Sequence, residues 1–448
     1  MQKKNYILLY FNTFLLGIFH LGCAPAIPNG IWINSSPQSE NQLGYLVKVD
    51  SRNEVNDLVQ SHKISARSLS EKSNIYEIYG TDEEEMKKYF PNKKFTKNSF
   101  FQYSEAEFTN NDFGHFTKEQ FENHLKIINA KEAWNFSKGN GELVSIIDLG
   151  LNLNHKDFNG KVYVNQKETY NGFDDDNDGL IDDIQGWNFG DGNSNIIDEN
   201  GHGTSVASLI NSELVGVAPE AKILPLKVIN EQKKIDEGSV ISALKFVQEY
   251  TNSKIINISF GKNKISDFFI HRLNELEKSG ILIVASAGNN GLNCQNIQNY
   301  PASYNNKILN IISVGASLLE LTPPYSLASY SNFGSCVDII APAGEDNLSI
   351  ATPYFANGLS NYILFNGTSA AAPITSGVAA LLRSLNPDLK ATEIKNIIIE
   401  SGLNLLQNKD YSKGGILNAY KAIQLLQKKM LISKSVITYD PPVSNEEK

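Results

Sequence analysis

Three short segments carry side chains that could do nucleophilic chemistry together. The first, Phe365 to Ala380, reads F-N-G-T-S-A-A-A-P-I-T-S-G-V-A-A. Gly367 lets the backbone turn sharply without a Cβ clash, and the small residues Ser369 to Ala372 allow close packing, so Ser369 is presented where a strand-like approach meets a helix. At a helix N-terminus its hydroxyl lies beside free backbone N–H groups, where negative charge collects on a substrate oxygen during acyl transfer. Pro373 falls within the first turn, where its missing N–H costs little. An alcohol becomes a nucleophile only with a base to take its proton and a third group to orient that base. The reading therefore predicts a histidine and a carboxylate elsewhere in the chain.

Both lie upstream. Val144-Ser-Ile-Ile-Asp148-Leu-Gly150 is an apolar run of strand length that ends in an aspartate and a glycine, which holds a carboxylate at a strand tip. Asn200-Gly-His202-Gly-Thr-Ser-Val-Ala-Ser-Leu-Ile210 sets a histidine between two glycines at the start of a small-residue helix. Taken singly, Gly-Thr-Ser-Ala is ordinary helix capping and a histidine between glycines is a loop residue. Three such segments in the order Asp, His, Ser, each with fitting flanks, are a catalytic constellation.

With these residues the sequence resembles the subtilisin-like (subtilase) serine peptidases. The resemblance implies a triad of Asp148, His202 and Ser369. It also implies that Ser259, Phe260 and Gly261, in Asn257-Ile-Ser-Phe-Gly261, pair their backbone with an extended substrate, which gives affinity with little sequence preference. Ala285, Ser286, Ala287 and Gly288 would line the pocket for the residue before the scissile bond, and small walls admit large apolar side chains. Asn289 would donate its amide N–H to the oxyanion, worth about 3 kcal/mol of transition-state stabilisation, a magnitude taken from subtilisin itself. As a turn residue Asn289 fits the same place. The implied substrates are proteins or peptides, and catalysis needs no cofactor.

These groups need a scaffold. Beyond His202 the chain alternates apolar runs and amphipathic stretches: 222–228, 238–250, 255–259, 268–279, 281–285 and 308–314. That alternation predicts a parallel sheet covered on both faces, with functional loops at the carboxyl ends of its strands. The expected fold class is α/β, a subtilisin-like three-layer α/β/α with a mostly parallel central sheet. Ahead of it, residues 45–49, 53–62, 73–79, 82–89 and 95–103 read as strand, helix, strand, helix and strand, a small α+β ferredoxin-like unit. It sits where subtilases carry the propeptide, which implies a temporary inhibitor whose tail, near Phe101 to Ser104, lies in the cleft and is cut by the enzyme itself. An unrelated accessory domain is the other reading of this unit.

The chain has 448 residues, 41% of them apolar and 20% charged, with a net charge of −9. There is room for a large core and accessory parts, and no basic footprint for nucleic acid. Two lysines, an apolar run from Tyr6 to Leu21 and the ending Gly22-Cys23-Ala24-Pro25 describe a secretory leader rather than a membrane span. Leu21-Gly22-Cys23 resembles a bacterial lipobox, departing from it at His20, so Cys23 is either the lipid-bearing first residue of an anchored protein or lies near an ordinary signal cleavage. Either way the expectation is export to the cell envelope or beyond, with a membrane as partner only if Cys23 is acylated. The expected boundaries are 1–22 signal, 23–42 linker, 43–103 propeptide, 104–430 catalytic domain and 431–448 disordered tail.

Two features remain. Asp174-Asp-Asp-Asn-Asp-Gly-Leu-Ile-Asp-Asp183 places oxygens at alternate positions before Gly179, like the first half of a calcium loop, but Gln185 stands where a closing glutamate belongs. Similar Asp-rich insertions in some subtilases bind Ca²⁺. Asp174, Asp176, Asp178 and Asp182 are the expected ligands of a structural ion, with a solvated acidic turn as the alternative. Cys294 and Cys336, in contexts similar to the proteinase K and aqualysin branch, read as a disulfide in an exported protein, with two free thiols as the alternative. Two rival functions stay open: a lipid-anchored binding protein that keeps the fold without catalysis, and a calcium-dependent adhesin built on the acidic insertion.

Overall fold

The computed structural model describes residues 43–437 except 63, 71–73, 104–115, 357–358 and 406. The leader, Cys23, the linker and the residues after 437 lie outside the described residues. Ser104 does too.

The N-terminal unit runs β1 (Tyr45–Lys48), α1 (Arg52–Ser61), β2 (Ser65–Ser70), β3 (Ile75–Tyr79), α2 (Glu83–Tyr89) and β4 (Phe95–Lys97). Its sheet has the order β2-β3-β1-β4 with every pairing antiparallel, the arrangement of a ferredoxin-like unit. α2 starts at a reciprocal cap, Glu85 N donating to Asp82 Oδ1 at 2.9 Å and Asp82 N to Glu85 Oε2 at 3.4 Å. Val47, Val55, Tyr76, Ile78 and Met86 form its own small core. Strand β2 has no counterpart in the sequence reading. Its run Ser-Ala-Arg-Ser-Leu-Ser is too polar to announce a strand, because Arg67 faces a buried polar partner rather than solvent or core. The single strand expected over 95–103 is instead broken after β4, where Asn98 turns its side chain into the cluster of Glu77 and Asp236, at 2.6 and 3.0 Å. The chain resumes as β5 (Phe100–Phe101).

The larger part continues with α3 (Lys118–Ile127), α4 (Ala130–Ala133), β6 (Leu143–Asp148), β7 (Trp187–Asn188), α5 (His202–Asn211), β8 (Lys222–Lys227), β9 (Ile235–Asp236), α6 (Glu237–Tyr250), β10 (Ile255–Ile258), α7 (Asp267–Lys278), β11 (Leu282–Ser286), β12 (Ile311–Ser317) and β13 (Ile339–Pro342). A three-stranded excursion follows, β14 (Gly344–Glu345), β15 (Leu348–Ala356) and β16 (Leu359–Phe365), and then α8 (Thr368–Leu385), α9 (Ala391–Ser401) and α10 (Ala419–Ile437). Seven strands form one sheet, order β13-β12-β11-β10-β6-β8-β7, all parallel.

The layers follow from the two-residue period of a strand. Along β6, Val144 and Ile146 join one apolar cluster with α5, α8, α9 and α10, while Leu143 and Ile147 join another with α6 and α7. Both faces are covered, which is why these runs read as continuously apolar. Each fully buried Val, Leu or Ile contributes about 1.5–3 kcal/mol of transfer free energy before entropy is charged against it. Leu46, Leu69 and Ile75 of the N-terminal unit belong to the second cluster, so that unit's sheet packs on the α6 and α7 side.

The β15–β16 hairpin was not assigned from sequence, and it delivers Phe365 to the start of α8. Cys294 and Cys336 are disulfide-bonded, with Cα atoms 6.1 Å apart. Helix α10 runs to Ile437, beyond Met430, where the tail was expected to begin. Among the described residues no helix is long and apolar enough to cross a membrane.

Candidate active site

Asp148 ends β6 and is 1% exposed. Its Oδ1 accepts Leu149 N at 2.8 Å and the Nδ1–H of His202 at 2.7 Å. The two groups can meet because the loop after β6 packs on the start of α5 with nothing between them. Gly150 has φ +118°, and a Cβ there would stand 2.5 Å from Ile196 O; a Cβ on Gly203 would stand 2.2 Å from Gly150 O. Glycine at both positions is therefore a steric requirement. His202 is fully buried, with the Phe365 ring edge-on at 5.4 Å. Burial alone pushes the imidazole down, but the charge and hydrogen bond of Asp148, with a contribution from Asp198, hold it above its ordinary value.

Ser369 is the second residue of α8, behind Gly367 at φ +93°. Its Oγ donates to Ser259 O at 2.8 Å, and Ser259 Oγ donates back to Ser369 O at 3.1 Å. His202 Nε2 and Asp148 Oδ2 are buried without a hydrogen-bond partner. The continuous relay expected from sequence is thus closed between acid and imidazole and open between imidazole and alcohol, whose hydroxyl is held by the strand-end carbonyl instead.

Asn289 follows β11 and is fixed to the same helix start, its Oδ1 accepting Thr368 N at 2.9 Å and Thr368 Oγ1 at 2.6 Å. The point a Cβ would occupy on Gly367 lies 3.1 Å from Asn289 Nδ2 and 3.6 Å from Ser369 N. Two donor nitrogens therefore flank one spot that only glycine leaves open. Ala285, Ser286 and Ala287 are buried at the end of β11, where Asn299 Nδ2 donates to Ser286 O and Asn332 Nδ2 to Ala287 O, at 2.8 and 2.9 Å. Gly288 takes φ +101° against the Asn332 side chain.

The N-terminal unit reaches this site. Phe100 and Phe101 pair with Asp236 and Ile235 of β9, and Gln102 exchanges two backbone hydrogen bonds with Gly261, at 2.8 and 3.0 Å. Its tail thus lies as a strand between β9 and the segment after β10. Phe101 is buried against Phe260 and Phe269, ring centroids 5.2 and 5.4 Å away, with Lys262 Nζ 4.8 Å from its ring centre. A cavity of about 210 Å³ opens beside Tyr103, lined by Leu149, Asn200, Lys227 and Ile229.

The acidic insertion is organised differently from the expectation. Glu168, Asp174 and Asp176 each bring an oxygen within 4.8 Å of the others. Asp182 does not join them; at φ +58° its carboxylate accepts Asn171 N and Gly172 N at 2.9 and 3.1 Å and so caps a turn. Asp178 Oδ1 accepts Leu180 N at 2.9 Å. Burial first and neighbouring carboxylates second push Asp178 up to about 8 and Asp183 up to about 7. Asp176 Oδ1 is buried without a partner. Crowded acids with an orphaned oxygen fit a hard cation with oxygen ligands. Glu168 lies outside the Asp-rich run and had no local signal.

Asp198 was also missed. It lies four residues ahead of His202, is 5% exposed, and is wholly engaged with the start of α5. An acidic residue just before a helix was the available signal.

The chain is similar to known proteins. Residues 139–420 match the family described as the subtilase family. The chain is 28% identical over 302 residues to a subtilisin-like protease 1 of Plasmodium berghei, covering 62% of this chain and 49% of that protein. It is 30% identical over 299 residues to a thermophilic serine proteinase of Bacillus sp. strain AK1, covering 65% and 64%. The chain therefore spans about half to just under two thirds of the length of these curated relatives. In fold it is similar to an epidermin leader peptide processing serine protease from Staphylococcus aureus, with a TM-score of 0.63, 22% identity, and coverage of 86% of this chain and 98% of that one. Residues that match the family span the parallel sheet, the Asp148–His202 pair at its carboxyl edge and Ser369 at the start of the long helix α8, and this chain belongs to the subtilase family.

Proposed function

We propose that the protein is a serine endopeptidase that hydrolyses peptide bonds through an acyl-enzyme. The observation that carries the reading is the buried 2.7 Å hydrogen bond from His202 to Asp148, made at the edge of the sheet where Ser369 opens α8. In the reaction the Ser369 hydroxyl exchanges Ser259 O for His202 Nε2, which takes the proton as Oγ attacks the substrate carbonyl. Asp148 keeps Nδ1 protonated and stabilises the imidazolium. The oxyanion is received by Asn289 Nδ2 and Ser369 N, and the imidazolium returns its proton to the leaving amine. Water then attacks the acyl-enzyme by the same route, releasing the acid product and restoring Ser369. Ser259, Phe260 and Gly261 hold the substrate backbone, and Ala285 to Gly288 wall the pocket beside the scissile bond. A fluorophosphonate probe tests this: labelling of the processed protein at Ser369, absent in Ser369→Ala, is expected, and an unlabelled, uncut wild-type chain sinks the peptidase reading.

The N-terminal unit is read as the enzyme's own propeptide. The support is its tail, which occupies the place of an added strand beside Gly261. In an antiparallel ladder such hydrogen-bonded pairs recur every two residues. A peptide continued in the register of Gln102 and Gly261 brings its next pair opposite Ser259, the carbonyl that holds Ser369 Oγ. Cleavage after Ser104 follows. The protein is read as exported, with Cys23 as the lipid-bearing residue if the leader is a lipobox. Self-cleavage then leaves the catalytic part joined to the anchor only through non-covalent contact with the N-terminal unit. A calcium ion in the insertion is held by Glu168, Asp174 and Asp176, with Asp178 and Asp183 relieved of mutual repulsion, and its part is structural.

A further inference from the structure

Asp198 is a buried acid in direct reach of the catalytic segments, and the mechanism above does not use it. Its Oδ1 accepts Gly201 N at 2.8 Å and Asn200 N at 3.1 Å, and its Oδ2 accepts Thr204 N at 2.8 Å and Thr204 Oγ1 at 2.7 Å. Four donors on one carboxylate, from the residues on both sides of His202, fix the turn that begins α5. Gly201 stands at φ +91° as the residue before the helix and has no side chain to cap it. Asp198 supplies that cap from three residues further back.

The same carboxylate reaches the strand that carries the acid. Thr204 Oγ1, while donating to Asp198, accepts Asn152 N at 3.1 Å, and Leu151 N donates to Ile196 O at 2.8 Å. The exit of β6 and the approach to α5 are joined on either side of Asp198. Consequently the Asp148–His202 contact has its two ends tied to one buried group.

We propose that Asp198 is a positioning residue for the reaction: it fixes His202 and Asp148 relative to each other, through the start of α5 and through Thr204 and Asn152, and it adds a second negative charge behind the imidazole. The inference rests on the peptidase reading for its catalytic meaning and on geometry alone for its structural one. Asp198 is among the charges that raise His202; burial raises the Asp198 carboxyl itself, and the hydrogen bonds from Thr204 and Gly201 work against that by favouring its charged form. The other groups against the imidazole are Asp148 from β6 and, from β16, Phe365, which brings no charge. Beside the loop, Lys227 of β8 donates to Ile197 O at 2.9 Å, and Glu199 is exposed. A single capped N–H would be met by a neutral acceptor, whereas four donors shared between two oxygens suit a carboxylate. Whether its charge also acts on the ring is what the titration reads.

The test is an NMR titration of the His202 ring in the full chain carrying Ser369→Ala, with and without Asp198→Asn, together with kinetics of Asp198→Asn in the otherwise unaltered enzyme. The expected result is a His202 titration moved to lower pH, and a kcat lowered about 10- to 100-fold with KM within about twofold, the size of loss that a misplaced catalytic group produces. An unmoved titration with unchanged kcat, accompanied only by a lower unfolding temperature, overturns the proposal and leaves Asp198 as a helix cap. Asp198→Ser keeps a capping oxygen without charge and is expected to move the titration as Asp198→Asn does. Should both variants fail to fold, Thr204→Val carries the test: it cuts the tie to Asn152 and spares the charge, so kcat is expected to fall while the titration stays, and an unchanged kcat overturns the proposal. A shifted titration in a chain whose wild type cleaves nothing upholds the Asp198 link while removing the peptidase reading.

Discussion

Gln102 and Gly261 are joined by both of their backbone hydrogen bonds, Gln102 N donating at 2.8 Å and Gly261 N at 3.0 Å. Main-chain pairing of this kind fixes register without regard to side chains. That pairing lays the tail of the N-terminal unit along the segment after β10, the observation on which the propeptide proposal rests.

The mature protein is accordingly expected to begin at Glu105, as read by N-terminal sequencing of the processed chain. A first residue before Gln102 would contradict the register. In Ser369→Ala the chain should stay uncut.

Phe101 is the side chain that anchors this strand, buried between Phe260 and Phe269. Replacing it by Ala should weaken the hold of the cleaved N-terminal unit by about 2–4 kcal/mol, the range of an aromatic hot spot. Active enzyme should then appear sooner after processing, seen as a shortened lag in peptide hydrolysis. An unchanged lag would mean that the buried polar cluster of Arg67, Glu77 and Asp236 carries the contact instead.

Within the catalytic groups, Ser369→Ala and His202→Ala should each cost about 10⁶-fold in kcat, and the pair together no more than either alone, a pattern and magnitude established in subtilisin itself. Asn289→Ala should lower kcat by about 10²–10³-fold with little change in KM, a figure also from subtilisin, because its donor meets charge only in the transition state. Additive losses for Ser369 and His202 would mean they do not act as one unit.

The pH dependence follows from the raised His202. Only the neutral imidazole can accept the Ser369 proton, so kcat/KM should rise with pH through a limb placed above the ordinary histidine value near 6.5. A limb below that value would show that burial outweighs Asp148 in the free enzyme.

The acidic insertion makes an opposite demand. Asp178 and Asp183 have folded values near 8 and 7 against an ordinary 3.8, so without a cation the folded state holds more protons than the unfolded one. Stability gained from these groups is present at low pH and is lost as pH rises from about 4 to about 8. Calcium should reverse this, raising the unfolding temperature more at pH 8 than at pH 5, and Asp176→Asn should remove most of that rise. An equal calcium effect at both pH values would place the ion elsewhere.

Much of the site was legible because the chemistry imposes local signatures. Asp148 closes an apolar run, His202 and Ser369 open helices behind glycines, and the alternating runs name a parallel sheet covered on both faces; each signal lies within a dozen residues. The polar strand β2 and the break after β4 were not legible, since Arg67 and Asn98 satisfy their polarity in Asp236, far along the chain. In the acidic run alternate spacing marks oxygens that could converge, and the fold groups Asp174 and Asp176 with Glu168 from outside the run, while the carboxylate of Asp182 meets Asn171 N and Gly172 N.

What the amino-acid order named alone was the candidate reacting groups and the sheet that carries them, because propensity, glycine placement and hydrophobic period act over short stretches. Folding decided which oxygens and nitrogens meet: Glu168 beside Asp174 and Asp176, Gln102 against Gly261, and the Ser369 hydroxyl on the Ser259 carbonyl. Hydrogen bonds act over about 3 Å and are indifferent to separation along the chain, so no pattern in the sequence can announce them.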